Sequence, residues 1–401
     1  MNVSKDIFEK SGEPEQVDET PPAGPQYHYH YHIYNSPGAP SMSLPMGLPV
    51  NHADNRNVHI AHYPTQPVAK RELGKTVTGK RPLTLKGAIR QNANVICGAL
   101  LLLFFVAVTT EVLPYYIIDF ITGFASNRFI QPRHVLDQAV SVFSYSFSFG
   151  IALILMKSWL KIPARVAFPV RWKGLTLTIP AIFLCLGVNI LGGISAVTIA
   201  EILELVFGIV STPPEFPTPS GGAAIALYMI NIVLLPAVLE ELIFRGVIMQ
   251  SLRRYGDGFA LMASSILFGL LHGNLTQFIP TFFMGIVMGF FVLRTGSIIC
   301  GIVLHFVNNG LFVLLSFLTE GGSEEFMIFV NLATAVILLT TGMIMGFFLL
   351  WKRPGFFRLA PPPPNVVLEK IKKHRVFFTS VASIVYVVVC IGMAATFFVV
   401  W

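Results

Sequence analysis

The sequence predicts an all-α fold: a polytopic transmembrane helical bundle of about nine spans behind a disordered N-terminal tail. Three observations carry this. Of 401 residues, 54% are hydrophobic and only 12% are charged, whereas soluble domains are about a quarter charged. Apolar runs suited to a ~30 Å hydrocarbon core follow one another from residue 94 onward. Basic residues gather in alternate connections, as membrane topology requires. The net charge of +7 is accounted for by those connections, and no nucleic-acid partner is expected.

Residues 1–92 are rich in Pro, Gly, Asn and Ser and lack sustained periodicity, so a disordered cytoplasmic tail is expected. No apolar stretch of a cleavable signal peptide lies in residues 1–20, and the first run, from about Val95, would act as an uncleaved anchor. The tail begins mildly acidic and ends basic, from Lys70 to Arg90, which suits an anionic lipid surface. It also holds Tyr27-His28-Tyr29-His30-Tyr31-His32-Ile33-Tyr34, with His52, His59 and His62 nearby. Alternating histidines can take a divalent metal; a biased, unstructured segment is the plainer reading.

The expected spans are 94–122, 135–157, 175–199, 222–252, 258–273, 276–293, 298–318, 326–351 and 376–401. The fifth is short for the bilayer core, so it is tilted or incompletely spanning. Lys161, Arg165, Arg171 and Lys173, then Arg253 and Arg254, then the basic stretch from Lys352 to Arg375 mark inside connections. The stretches 200–221 and 319–325 contain carboxylates and no Lys or Arg, so they lie outside. This places the N-terminus in the cytoplasm and the C-terminus outside, in a multi-pass protein of the cell membrane. The chain divides into a tail (1–92), a membrane core (93–351), a Pro/basic cytoplasmic linker (352–375) that includes the stiff run Pro361-Pro362-Pro363-Pro364, and an extra C-terminal helix (376–401) that looks peripheral to any site. Cys97, Cys185, Cys300 and Cys390 lie in separate runs and are expected as packing residues, not disulfides.

The chemistry centres on Pro236-Ala237-Val238-Leu239-Glu240-Glu241-Leu242-Ile243-Phe244-Arg245. Charge inside a span costs at least ~2.5–3.5 kcal/mol per group, so it points to function. Glu241 and Arg245 share a helix face, while Glu240 points about 100° away. One carboxylate can thus be neutralised while the other stays free. In the later spans the other strongly polar groups are His272, His305, Asn308, Asn309 and Asn331. His305 and Asn309, at i and i+4, share a face. Counted from the inside helix ends, Glu240, His272 and Asn309 lie roughly 18–22 Å deep and His305 roughly 12 Å. These groups can therefore meet. A carboxylate with a histidine can deprotonate water, and a second histidine with an amide can stabilise an oxyanion. Two His and one Glu would equally suit a catalytic zinc. Each group alone could be interhelical glue, and Glu241 with Arg245 a structural pair. Glu111 and Asp119, near the end of the first span, are expected to be interfacial.

Glu240-Glu241-x-x-x-Arg245, Phe268-x-x-x-His272 and His305-x-x-x-Asn309, in this order on separate spans, resemble the three motifs of the CPBP family. These are the CAAX prenyl endopeptidase type II and bacteriocin-processing intramembrane proteases, also called the abortive-infection family. The resemblance covers about 175–318. It implies an eight-helix-type core with a cytosol-facing cavity, an endopeptidase acting on membrane-protein or peptide substrates, and catalysis by Glu240, His272, His305 and Asn309. It gives Glu240 and His272 the water, His305 and Asn309 the oxyanion, and Glu241 and Arg245 a supporting role, with Phe268 opening the second motif. The family's eukaryotic prenyl proteases resemble glutamate proteases, so no cofactor is expected; the alternative is zinc on Glu240, His272 and His305. The competing functions are a non-catalytic immunity or scaffold protein and an ion-coupled transporter, for which no inverted repeat is visible.

Overall fold

The structure, a computed structural model, describes residues 84–121, 134–171, 175–212, 214, 217–360 and 372–400. The His/Tyr-rich stretch and most of the tail, the 122–133 connection and the proline run lie outside the described residues. Among those described, seven helices are long and apolar enough to cross a membrane: α1 (Leu85–Ile121), α2 (His134–Trp159), α4 (Leu175–Phe207), α5 (Gly222–Tyr255), α7 (Leu275–Thr295), α8 (Ile298–Thr319) and α9 (Glu324–Lys352). The helix α3 (Ala164–Ala167) is a single turn. Two shorter apolar helices, α6 (Asp257–Leu271) and α11 (Val381–Ala395), lie at the fifth and last expected runs, with α10 (Lys373–Phe378) before the latter.

Apolar periodicity explains the packing. Leu85, Ile89, Ala93, Ile96, Leu100 and Leu103 recur every three or four residues along α1, and all are buried. That stripe faces α2 and the C-terminal helices. Where helices cross closely, glycine makes the room. A Cβ on Gly192 of α4 would come within 2.6 Å of Pro280 Cα on α7. Gly187 of α4 meets Gly342 of α9, where a Cβ would lie 3.1 Å from the opposing Cα. Close backbone approach is how membrane helices gain contact when lipid tails are as apolar as their side chains.

The helix α5 is not uniform. Two wide π-turn segments, Ile230–Leu234 and Leu242–Ile248, flank the α-helical Leu235–Glu241. Such bulges rotate the side chains that follow and often mark sites. Pro236 supplies one cause: it has no N–H, so the carbonyl four residues back loses its helical partner. Side chains serve the second bulge. Ser264 Oγ donates to Phe244 O at 2.8 Å and Gln250 Nε2 to Arg245 O at 3.2 Å.

The helix α6 has 15 residues, about 22 Å at 1.5 Å per residue, which is short of the ~30 Å core. It begins beside the buried Arg253–Asp257 ion pair (2.8 Å) and ends at His272. Gly273, at φ 62°, reverses the chain. Asn274 then caps α7, its Oδ1 accepting from Gln277 N at 2.9 Å. His272 thus sits at the tip of a helical hairpin within the bundle.

The C-terminal region departs from expectation. The run 376–401 is not one helix. It breaks at Thr379 and Ser380 between α10 and α11, then ends in β2 (Phe398–Val400), which pairs antiparallel with β1 (Ile209–Ser211) after α4. Its second helix packs into the bundle, while none of its residues lines the candidate site. Tyr386 is fully buried; its hydroxyl donates to Leu267 O of α6 at 3.3 Å and its ring stacks on Phe104 of α1. A hydroxyl row missed as a breaker signal accounts for both features. Ser380 and Ser383 bond each other at 2.8 Å, and Ser383 meets Cys97 Sγ at 3.2 Å. All four cysteines are free and buried.

Candidate active site

The adjacent carboxylates are sent to different surroundings, as their angular separation on α5 requires. Glu241 is fully buried. Its Oε1 accepts from Arg245 Nη1 at 2.6 Å and from His305 Nδ1 at 3.1 Å. A Cβ on Gly301 of α8 would lie 2.6 Å from Glu241 Oε2, so only glycine admits the carboxylate there. Arg245, 1% exposed, lies with its guanidinium carbon 4.1 Å from the centre of the Phe268 ring. A cation over an aromatic face, paired with a carboxylate one turn away, is a compact way to hold two charges without water.

Glu240 faces the other way. Its Oε1 accepts from the Tyr145 hydroxyl of α2 at 2.6 Å. Its Oε2 lies 3.8 Å from His305 Nε2 and has no hydrogen-bond partner among the described residues. His305 therefore stands between the two carboxylates. Phe268 joins these groups to the hairpin tip: its ring meets Phe244, His272 and His305 edge-on, with centroids 5.2, 5.3 and 5.8 Å away.

His272 Nδ1 lies 3.0 Å from Phe268 O. A carbonyl can only accept, so Nδ1 carries the proton, and the neutral ring presents Nε2 as an acceptor. Glu240 and His272 both line a cavity of about 430 Å³ walled mainly by α1 and α2. Glu241, Arg245, His305 and Asn309 do not line it.

Asn309 is placed differently from its helix partner His305. Its Nδ2 donates to Ile232 O at 3.0 Å, and its Oδ1 accepts from Asn308 Nδ2 at 3.1 Å. Asn308 in turn accepts from Asn189 of α4 at 2.9 Å. Ile232 O is the carbonyl that Pro236 deprives of a partner, so Asn309 braces the bulge in α5. The amide keeps a second N–H on Nδ2 beyond that bond.

Two cavity residues escape the sequence reading. Tyr145 belongs to Ser141, Ser144, Tyr145 and Ser148, four hydroxyls at helical spacing inside an apolar span. That periodic polar face was the available signal. Glu111 is half-buried and lines the cavity, where Ser141 Oγ donates to its Oε1 at 2.7 Å. It is therefore a cavity residue as well as one near the end of the first span; Asp119's side chain lies outside the described residues. Among the described residues no three His, Cys, Asp or Glu side chains are grouped as a metal ion would need.

Residues 222–311 match the family described as Type II CAAX prenyl endopeptidase Rce1-like. No curated protein and no solved structure matches the chain. The matched segment holds Glu240, Glu241, Arg245, Phe268, His272, His305 and Asn309 together, on the three helices and the hairpin tip that form the site. Through that segment this multi-pass membrane protein is similar to the CPBP family of proteases.

Proposed function

We propose that the protein is an intramembrane endopeptidase that hydrolyses peptide bonds of membrane-associated proteins or peptides, with Glu240 as general base. One observation carries this reading. Glu240 is a buried carboxylate that lines the cavity shared by His272, with one oxygen held by Tyr145 and the other without a hydrogen-bond partner among the described residues. A water between Glu240 Oε2 and His272 Nε2 loses a proton as its oxygen attacks the scissile carbonyl. The C–O bond forms and the carbonyl π-bond becomes an oxyanion. His305, held through Nδ1 by Glu241 and with Nε2 3.8 Å from Glu240 Oε2, is one candidate donor to that charge. The second N–H of Asn309 is the other candidate. The C–N bond then breaks, and the proton held by Glu240 passes to the departing amine. Glu241 and Arg245 neutralise each other and fix His305.

Zinc fits these residues less well. Among the described residues no three His, Cys, Asp or Glu side chains are grouped as a metal ion would need.

The test is cleavage by purified full-length protein in liposomes, wild type against Glu240→Gln. The expected loss is ~10²–10⁴-fold, with helices inserted as before and wild-type activity surviving exhaustive chelation. A scaffold or a transporter would give no Glu240-dependent product. One tightly bound zinc per chain, lost with activity on chelation and restored by zinc, would overturn the glutamate mechanism.

A further inference from the structure

The cavity holds chemistry that water activation does not use. Its α1 wall is Leu103, Phe104, Ala107, Val108 and Glu111, one helix face. Facing it are Ser141, Ser144 and Tyr145 of α2. The two helices are tied in an antiparallel register: Ser141 Oγ bonds Glu111 Oε1 at 2.7 Å, while Ser144 Oγ bonds Thr110 Oγ1 at 2.8 Å and Ala107 O at 3.0 Å. Glu111 therefore lies at the level of Ser141, one helical turn, about 5–6 Å, from Tyr145 and the Glu240 carboxylate it holds.

The charge in this cavity is one-sided. Among the described residues its lining contains two carboxylates, Glu111 and Glu240, and no Lys or Arg. The nearest buried guanidinium, Arg245, is paired with Glu241 outside the cavity. Two carboxylates facing one low-dielectric space favour a cationic occupant and disfavour an anionic one. Distance then limits where that cation sits on a substrate. An extended peptide advances ~3.3–3.6 Å per residue. A side chain one or two residues from the bond held at Glu240 thus reaches the level of Glu111.

We propose that Glu111 is a specificity-determining subsite that binds a lysine or arginine side chain within two residues of the scissile bond. Ser141 holds one carboxylate oxygen in place, and the apolar residues of α1 cover the aliphatic stem of the basic side chain. The assignment rests on the proteolytic reading above and adds a substrate class to it.

The experiment uses the full chain in liposomes and internally quenched peptides, N-acetylated and C-amidated, that differ at the flanking positions only. Lys, Arg, norleucine or Glu is placed one or two residues to either side of the cleaved bond. At one of these positions the wild type should cut Lys or Arg peptides at least about tenfold faster, by kcat/KM, than norleucine peptides. In Glu111→Gln the ratio of Lys to norleucine rates should fall to within about twofold of unity, and Glu111→Lys should turn the preference toward the Glu peptide. Ratios within one preparation are insensitive to a misfolded fraction, and Glu111→Asp, which keeps the charge, should retain part of the preference. A wild type that cuts all peptides equally, or a preference unchanged in Glu111→Gln, overturns the subsite. A preference that appears only with a free N-terminus moves the cation from a side chain to the peptide end and also overturns it. Failure to cut any peptide refutes the proteolytic reading instead, which separates the two failures.

Discussion

Arg245→Met should destabilise the bundle far more than removing both charges of its ion pair. Arg245 and Glu241 are 1% and 0% exposed and 2.6 Å apart. Methionine roughly keeps the aliphatic volume over Phe268 but leaves Glu241 with only His305 Nδ1 at 3.1 Å. Breaking one side of a buried pair typically costs ~3–5 kcal/mol, because the remaining charge is stranded, whereas replacing both partners is often close to neutral. At roughly 1 °C per kcal/mol for a chain of this size, from ~2.1 cal/mol/K per residue, Arg245→Met should lower Tm by about 5 °C. The double variant Glu241→Gln with Arg245→Met should recover more than half of that loss, since a glutamine oxygen still accepts from His305. The assay is thermal unfolding read by a thiol-reactive fluorophore. All four cysteines are buried and free, so each reports on loss of packing. A double variant as unstable as the single one would refute the reasoning, because the cost would then lie in lost packing and not in the stranded charge.

Other outcomes follow from individual contacts. Tyr145→Phe removes a hydrogen bond to Glu240 made at 2.6 Å, a charge-assisted bond of a kind worth about 1.5–3 kcal/mol; kcat should fall about tenfold or more while KM stays put, and a change confined to KM would deny it the positioning role. Asn309→Ala should cost stability because Ile232 O loses its donor; in a Pro236→Ala background, which restores a backbone N–H, that cost should shrink, and equal costs in both backgrounds would remove proline as the cause. The distribution of basic connections predicts residues 319–325 outside, so Ser323→Cys, at the exposed N-cap of α9, should label in intact cells; labelling only after permeabilisation would invert the topology.

Much of the bundle was legible because membrane helices must be long, apolar and internally bonded. The pairing of Glu241 with Arg245 followed from four-residue spacing alone. Where the C-terminal helix packs was not legible, for a physical reason. An apolar run announces a span but not its neighbours, and only the contacts of Tyr386 and Ser383 seat it against α1 and α6. The break at Thr379 and Ser380 had only a hydroxyl row as its signal: Thr379 bonds Arg375 O, Ser380 bonds Ser383, and Ser383 meets Cys97. Tyr145 was missed because a tyrosine in an apolar span scores as a hydrophobe. Its hydroxyl acquires meaning only once Glu240, 95 residues later in the chain, comes opposite.

The bulges in α5 explain why two neighbouring glutamates can do different work. On a uniform helix, Glu240 and Glu241 would differ only by rotation, and both would need a partner inside the membrane. Here Pro236 and the wide turn before it alter the helix just upstream, and the second wide turn begins immediately after Glu241. The carbonyls these irregular turns expose are taken by Asn309, Ser264 and Gln250 on surrounding positions. Such bonds tie α5 to α8 and α6 at the heights where Glu241 meets Arg245 and His305. The neutralised pair then serves as a fixed wall for His305, whose other ring nitrogen looks toward Glu240. The strain of a broken helix is thereby turned into orientation. A carboxylate held by one oxygen, and lacking a hydrogen-bond partner on the other, is a costly arrangement in a low-dielectric interior. It persists because the helices around it are pinned by bonds that do not involve it.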